Sequence, residues 1–295
     1  MDICEDASMS APEARTRLLV SLRVFLSQLK HDSATVEKAL ENFESERLQV
    51  AGDLESYFST HPHEGPLFEN SLALLSQIAS FPLPVRLAFS GSLMDMALGM
   101  ESEIAAERTR SVRHERSTQD FEQYCYTVAG TVGIFLTQVF WDEGAFEAKQ
   151  TLNTLEKLGE SFGEALQIVN ITKDFHQDWK EGRCYWPRVL SPGGLDTNPP
   201  SAAELLPALE SLKRHFDQHL GDAKNYVSSL SNKRNDIRFF CEFPLQMAEK
   251  TMTQAMTDKG WLETGVAPKI SKAETLLLAQ KLSLLYALPA LWNKS

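Results

Sequence analysis

The sequence predicts an all-α protein. Apolar residues recur at three- and four-residue spacing along most of the chain, the mark of amphipathic helices. No segment carries the period-two alternation of a half-buried strand. Proline and glycine gather at a few breaks between long periodic stretches, above all in PRVLSPGGLDTNPPS. The expected architecture is one domain over residues 1–295, with about ten helices.

The elements follow in chain order. RTRLLVSLRVFLSQLK has helical periodicity, and Ser33 to Phe58 reads as a second amphipathic helix. Pro82 and Pro84 break the next region, which restarts near Val85 and runs to about Arg110. A long helix is expected from about Thr118 to Phe140, and another from Phe146 to about Lys180. After the Pro-Gly loop, Ser201-Ala-Ala-Glu204 forms a capping box that opens a helix over 201–230. Helices over 234–257 and 270–288 complete the chain.

Composition narrows the function classes. The 295 residues are 43% apolar and 23% charged, ordinary for a globular protein. A net charge of −11 with no basic patch argues against nucleic-acid binding. Cys4, Cys125, Cys184 and Cys241 have neither C-x-x-C spacing nor a disulfide framework, which suits reduced thiols in a cytoplasm. The acidic start MDICEDASMS has no apolar run of the signal-peptide kind. VAGTVGIFLTQVF is too short to span a bilayer. The tail LLLAQKLSLLYALPALWNKS reads as a core helix with scope for membrane-surface contact.

The richest segment is LQIVNITKDFHQDWKEGRCYWP, 166–187. Gln167, Asn170, Asp174 and Asp178 stand at offsets 0, 3, 7 and 11, so at roughly 100° per residue they form one stripe on one helix face. All four offer oxygen donors, which suit a hard cation such as Mg²⁺. On a solvated helix such a pair can be mere surface. Here Phe162, Leu166 and Ile171 flank the stripe, and two carboxylates on a packed helix need a compensating cation. Gly182 permits a turn at the helix end, and Arg183 can reach back as a phosphate ligand beside Lys173. Asp2 and Asp6 repeat the D-x-x-x-D spacing at the start of the chain; two facing pairs could hold several metal ions around a diphosphate.

These segments resemble the squalene/phytoene synthase family. NITKDFHQDWKEGRCYWP is similar to its second aspartate-rich region and DICED to its first. YCYTVAGTVGIFLTQVF, 124–140, is similar to its Y-C-x-x-V-A-G-x-V-G helix, and RNDIRFFCEFPLQMA, 234–248, to its F-C-x-x-P helix. The matches fall in family order over about positions 1–250. Physically, Val128, Val132 and Leu136 follow Tyr124 at four-residue steps and make an apolar wall. Gly130 and Gly133 inside that helix cost about 1 kcal/mol each relative to Ala, which points to close approach by a helix or ligand. Phe239, Phe240 and Phe243 are expected near a greasy cavity, unless they pack as ordinary core.

The resemblance implies an isoprenoid-synthase helical bundle around a central cavity and Mg²⁺-dependent (or Mn²⁺-dependent) head-to-head joining of two farnesyl diphosphates through presqualene diphosphate. It implies metal binding by Asp2, Asp6, Asp174 and Asp178, and Tyr124 near the proton transfer. It assigns Gln167, Asn170, Lys173, Arg183, Val128, Val132, Leu136, Phe240 and Pro244 to substrate. Lys173 stands where an arginine is usual, keeping charge and losing bidentate geometry. NADPH is implied if the product is squalene, and a monomer with peripheral membrane contact for product release is expected. The family has several dozen residues before its first aspartate motif, so the opening helices are expected to be missing and turnover slow. Phytoene synthesis from geranylgeranyl diphosphate and a non-catalytic lipid- or partner-binding relative stay open as alternatives.

Overall fold

A computed structural model describes residues 12–60, 62–109, 116–147, 149–189 and 198–286, with side chains 60 and 106–109 left out. Asp2, Cys4 and Asp6 lie outside the described residues. The described chain is helical. Isolated bridges pair Arg116 with Pro187 and Phe146 with Leu230, and no strand occurs among the described residues. The chain divides into two compact units, Met1–Ser111 and Val112–Ser295.

The first unit holds α1 (Pro12–Gln28), α2 (Ser33–Val50), α3 (Glu55–Thr60), α4 (Gly65–Glu69), α5 (Ser71–Ser80) and α6 (Leu83–Thr109). Asp32 caps α2 by accepting from the Thr35 N–H at 3.0 Å. The helix expected over Ser33–Phe58 stops at Val50, and a 3₁₀ turn at Gly52–Leu54 leads into α3. Gly52 is a poor helix former and Asp53 a good helix starter, so the chain turns there. Phe25, Leu26, Leu29, Val36, Ala39, Phe43 and Leu75 form a core cluster of this unit, from α1 and the turn after it, α2 and α5. Arg23 Nη1 donates to both carboxylate oxygens of Glu101, tying α1 to α6.

The second unit holds α7 (Thr118–Cys125), a π-helical turn (Tyr126–Gly130), α8 (Thr131–Asp142), α9 (Leu152–Lys180), α10 (Ala202–Ser229), α11 (Asn235–Thr257), α12 (Trp261–Thr264) and α13 (Lys272–Leu285). The helix expected over Thr118–Phe140 is therefore two α-helices around a π turn. The helix expected from Phe146 starts at Leu152, where the Thr151 side chain accepts from the Thr154 N–H. Phe146 is used elsewhere: its backbone pairs with Leu230 and its ring meets Tyr226 at 5.7 Å.

Glycine fixes the packing of α8 on α9. A Cβ at Gly133 would lie 1.9 Å from the Gly159 carbonyl oxygen, and one at Gly163 would lie 2.1 Å from that of Ala129. Backbone rests on backbone, so the close approach anticipated for Gly133 is a helix. Thr137 Oγ1 donates to the Gly133 carbonyl at 2.7 Å and lies 3.0 Å from the Tyr226 hydroxyl, closing the contact. Beside it, Glu164 is buried between α9 and α10, with His219 Nδ1 at 3.1 Å from its carboxyl. Cys125, Cys184 and Cys241 are buried free thiols. No described helix is long and apolar enough to cross a membrane.

Candidate active site

Helix α9 turns one face to two uses. Gly159, Gly163, Gln167, Asn170, Asp174 and Asp178 follow each other at three- and four-residue steps. The glycine end lies against α8 and the π turn; the other end emerges as the polar stripe. Gly133 meets Gly159 and Ala129 meets Gly163, an antiparallel register that brings α7 alongside the Gln167 turn. The glycines thereby decide where the carboxylates stand relative to Tyr124.

Along the stripe, Asn170 Nδ2 donates to Gln167 Oε1 at 3.5 Å, and Lys173 pairs with Asp174. Asp178 is more enclosed, its side chain 14% exposed. The helix ends at Lys180 with Glu181 as its C-cap, and Gly182 takes a left-handed φ of 79° that reverses the chain. The Arg183 N–H then donates to the Asp178 carbonyl at 2.8 Å, and its guanidinium lies 3.3 Å from Asp178 Oδ1 while also pairing with Glu181. Burial pushes the Asp178 carboxyl up to about 7; Arg183 opposes the rise and Asp174 adds to it. A second cation at this carboxylate would relieve the strain of burial. The donor set is all oxygen and fits a hard divalent ion, which commonly takes one or two carboxylates and completes its shell with phosphate and water. Among the described residues, no three His, Cys, Asp or Glu side chains are arranged to hold a metal.

Tyr124 closes α7, whose start is fixed by a reciprocal Ser117–Asp120 capping box. The ring is 4% exposed and stacks on Tyr185 with centroids 4.5 Å apart and planes at 18°. Arg116 sits against both rings, its guanidinium carbon 5.3 Å from Tyr124 and 5.4 Å from Tyr185. Tyr185 arrives on the segment that follows Gly182. Trp186 anchors that segment: its Nε1 donates to the Ile171 carbonyl at 2.9 Å, and its buried ring packs on Phe175 and Trp261. Arg116 and Tyr185 were not among the predicted site residues. The signal was faint, an aromatic pair directly behind the stripe and an arginine before a capping box.

The expected apolar lining has mixed placement. Val128 is half-buried against the main core, Leu136 is half-buried, and Val132 is 38% exposed. Phe240 is 55% exposed and meets Phe140 edge-on at 6.2 Å. Pro244, one turn further along α11, has no N–H and so leaves the Phe240 carbonyl without its helical donor. Phe239 and Phe243 turn the other way, stacked at 5.7 Å against the Leu278, Leu282 and Tyr286 cluster of α13. They pack as core because, one turn apart, they share the side of the helix that this cluster covers. A cleft of about 860 Å³ lies between α10, α11 and the start of α13, lined by Lys224, Arg238, Glu249 and Glu274, and contains none of the expected site residues.

This helical fold, with a carboxylate stripe beside a buried tyrosine, is of the isoprenoid-synthase type. Two solved structures of TcSQS share it. The complex with the ligand E5700 has a TM-score of 0.61 at 19% identity, covering 96% of this chain and 83% of that one. The complex with BPH1237 has a TM-score of 0.59 at 18% identity, covering 98% and 88%. At such identity the likeness is one of fold. The Squalene/phytoene synthase family model matches residues 13–273, and the chain belongs to that family. Among its relatives, squalene synthase of Schizosaccharomyces pombe is 30% identical over 165 residues, covering 54% of this chain and 35% of the relative. Squalene synthase of Homo sapiens is 29% identical over 171 residues, covering 56% and 40%. The matched stretches thus span well under half the length of these curated relatives.

Proposed function

We propose that this chain performs head-to-head prenyl transfer, joining two farnesyl diphosphates through presqualene diphosphate to squalene or a related C30 product. The observation that carries the reading is the α9 stripe: two carboxylates one turn apart, one partly enclosed and raised toward neutrality, with Lys173 and Arg183 beside them. Asp174 and Asp178 would hold Mg²⁺, with Mn²⁺ as a substitute and Asp2 and Asp6 as the second metal-binding pair. Bound there, the ion neutralises the charge that develops on the departing diphosphate. Lys173 and Arg183 bind that diphosphate, Arg183 exchanging its pairing with Asp178 for phosphate oxygens. Gln167 and Asn170 orient the same group by hydrogen bonds.

Tyr124 has the part of the group nearest the proton lost when the cyclopropane closes. Its burial suits a phenol that must act away from bulk water. Val128, Val132, Leu136, Phe240 and Pro244 take the prenyl chains, and their apolar surface keeps water from the allylic cation. NADPH is the reductant if squalene is the product.

The test is incubation with labelled farnesyl diphosphate and Mg²⁺, with and without NADPH, followed by mass spectrometry. The expected products are presqualene diphosphate and a C30 hydrocarbon, both lost in Asp174→Asn. Selective consumption of geranylgeranyl diphosphate would redirect the reading to phytoene. A folded, metal-loaded protein that makes neither product would overturn it.

A further inference from the structure

Arg116 is an expensive residue for the place it occupies. It is 5% exposed, and a buried guanidinium is costlier than an apolar side chain of similar volume. Its position has a definite geometry: nearly equidistant from two parallel phenol rings, 5.3 and 5.4 Å from their centroids. Rings stacked 4.5 Å apart cannot both turn a face to one cation, so the guanidinium lies at the flank of the stack, within cation–π distance of both centroids. The rings come from distant parts of the chain, Tyr124 from the last turn of α7 and Tyr185 from the return after Gly182. The backbone joins the same partners. The Arg188 N–H donates to the Arg116 carbonyl at 2.9 Å, and Trp186 is bonded to the Ile171 carbonyl of α9, one turn before Asp174.

We infer that Arg116 and Tyr185 are positioning residues that set the ring plane of Tyr124 and hold it in register with the α9 carboxylates. The inference rests on the proposed role of Tyr124 and deepens it. Tyr185 covers one face of the Tyr124 ring. Arg116 holds the two rings together from the side. Tyr185 is carried on the same short segment that Trp186 pins to α9, so the stack and the stripe share one anchor. A reacting group needs this kind of fixation, since small misplacements cost large factors in rate.

Two measurements test it. Phenols stacked at 4.5 Å couple their near-ultraviolet transitions, so the circular dichroism signal near the tyrosine band should fall in Tyr185→Leu, Tyr124→Phe and Arg116→Met, with the far-ultraviolet spectrum unchanged. Arg116→Lys, which keeps the charge, should recover part of it. In turnover of farnesyl diphosphate, Tyr185→Leu and Arg116→Met should lose about tenfold or more in kcat with KM within about twofold, and Tyr185→Phe should stay within about threefold of wild type. If wild type has no turnover, the proposed function falls and the spectroscopic arm alone decides the positioning claim. A tyrosine signal that persists in folded Arg116→Met and Tyr185→Leu, or an unaltered kcat in both, would overturn it.

Discussion

Asp174 and Asp178 have opposite surroundings although one turn separates them. Asp174 is the more open and is paired with Lys173, while Asp178 is enclosed and shares Arg183 with Glu181. Mg²⁺ with pyrophosphate should raise the Tm of wild type by about 3 °C or more, because a ligand that binds only the folded state stabilises it by mass action. Asp174→Asn should lose that gain and keep the metal-free fold; equal gains in both proteins, read by differential scanning fluorimetry, would count against the stripe. Glu164 gives a second residue-level expectation. Burial, then Glu160 and Glu122, pushes its carboxyl up to about 8, while burial and His215 lower His219. Both shifts favour a neutral pair, with the carboxyl O–H donating to Nδ1. A raised carboxyl binds more protons folded than unfolded, so stability falls as pH rises from its ordinary value of 4.5 to about 8. Glu164→Gln should therefore raise Tm clearly at pH 9 and little at pH 4. A gain independent of pH would mean that the carboxyl is not held neutral.

At the scale of elements, the α8–α9 contact and the π turn matter most. Gly133→Ala must push a methyl into the Gly159 carbonyl, which is backbone and has nowhere to go. We expect a loss of about 2–4 kcal/mol in urea unfolding. Gly221→Ala, in the exposed middle of α10 with no atom within 4 Å of the new Cβ, should instead gain about 0.5–1 kcal/mol. The reverse order of the two would dismiss the helix–helix reading of Gly133. The glycines were legible as sites of close approach, because mid-helix glycine is costly without a reason. Their partner was not legible, since nothing local in Thr131–Asp142 says which helix comes near. The π turn at Tyr126–Gly130 was also hidden: the flanking apolar spacing is compatible with an α-helix, and one inserted residue leaves no mark in such a pattern. It sits between Tyr124 and the Gly133 contact, where it adjusts the phase of one against the other.

Across the whole molecule, the two units differ in the cores they build. The first rests on a modest cluster around Phe25, Leu26, Leu29 and Phe43. The second has a larger continuous core through α9, α10 and α11, including Phe162, Phe175, Trp186, Phe216 and Met252. Local stability follows buried apolar contact. Amide hydrogen exchange should accordingly be slowest in α9–α11 and faster by orders of magnitude in α2 and α5. Uniform protection across both units, measured by mass spectrometry, would show that they open together.

By itself the sequence determined the helices, most of their limits, the stripe of Gln167, Asn170, Asp174 and Asp178, and membership of the family. Each of these is written in local periodicity, capping residues or short motifs, and such signals involve residues near one another in the chain. The tertiary structure alone decided that Phe239 and Phe243 serve the α13 core while Phe240 does not, and that Tyr124 is stacked on Tyr185 beside Arg116. It also decided that Arg183 folds back on Asp178. The physical reason is that these outcomes depend on which helix face meets which neighbour. That choice is made by backbone contacts at Gly133, Gly159 and Gly163, by the reversal at Gly182 and by the anchor at Trp186. Those positions are visible in the sequence, but what they touch is set by packing across long stretches of chain.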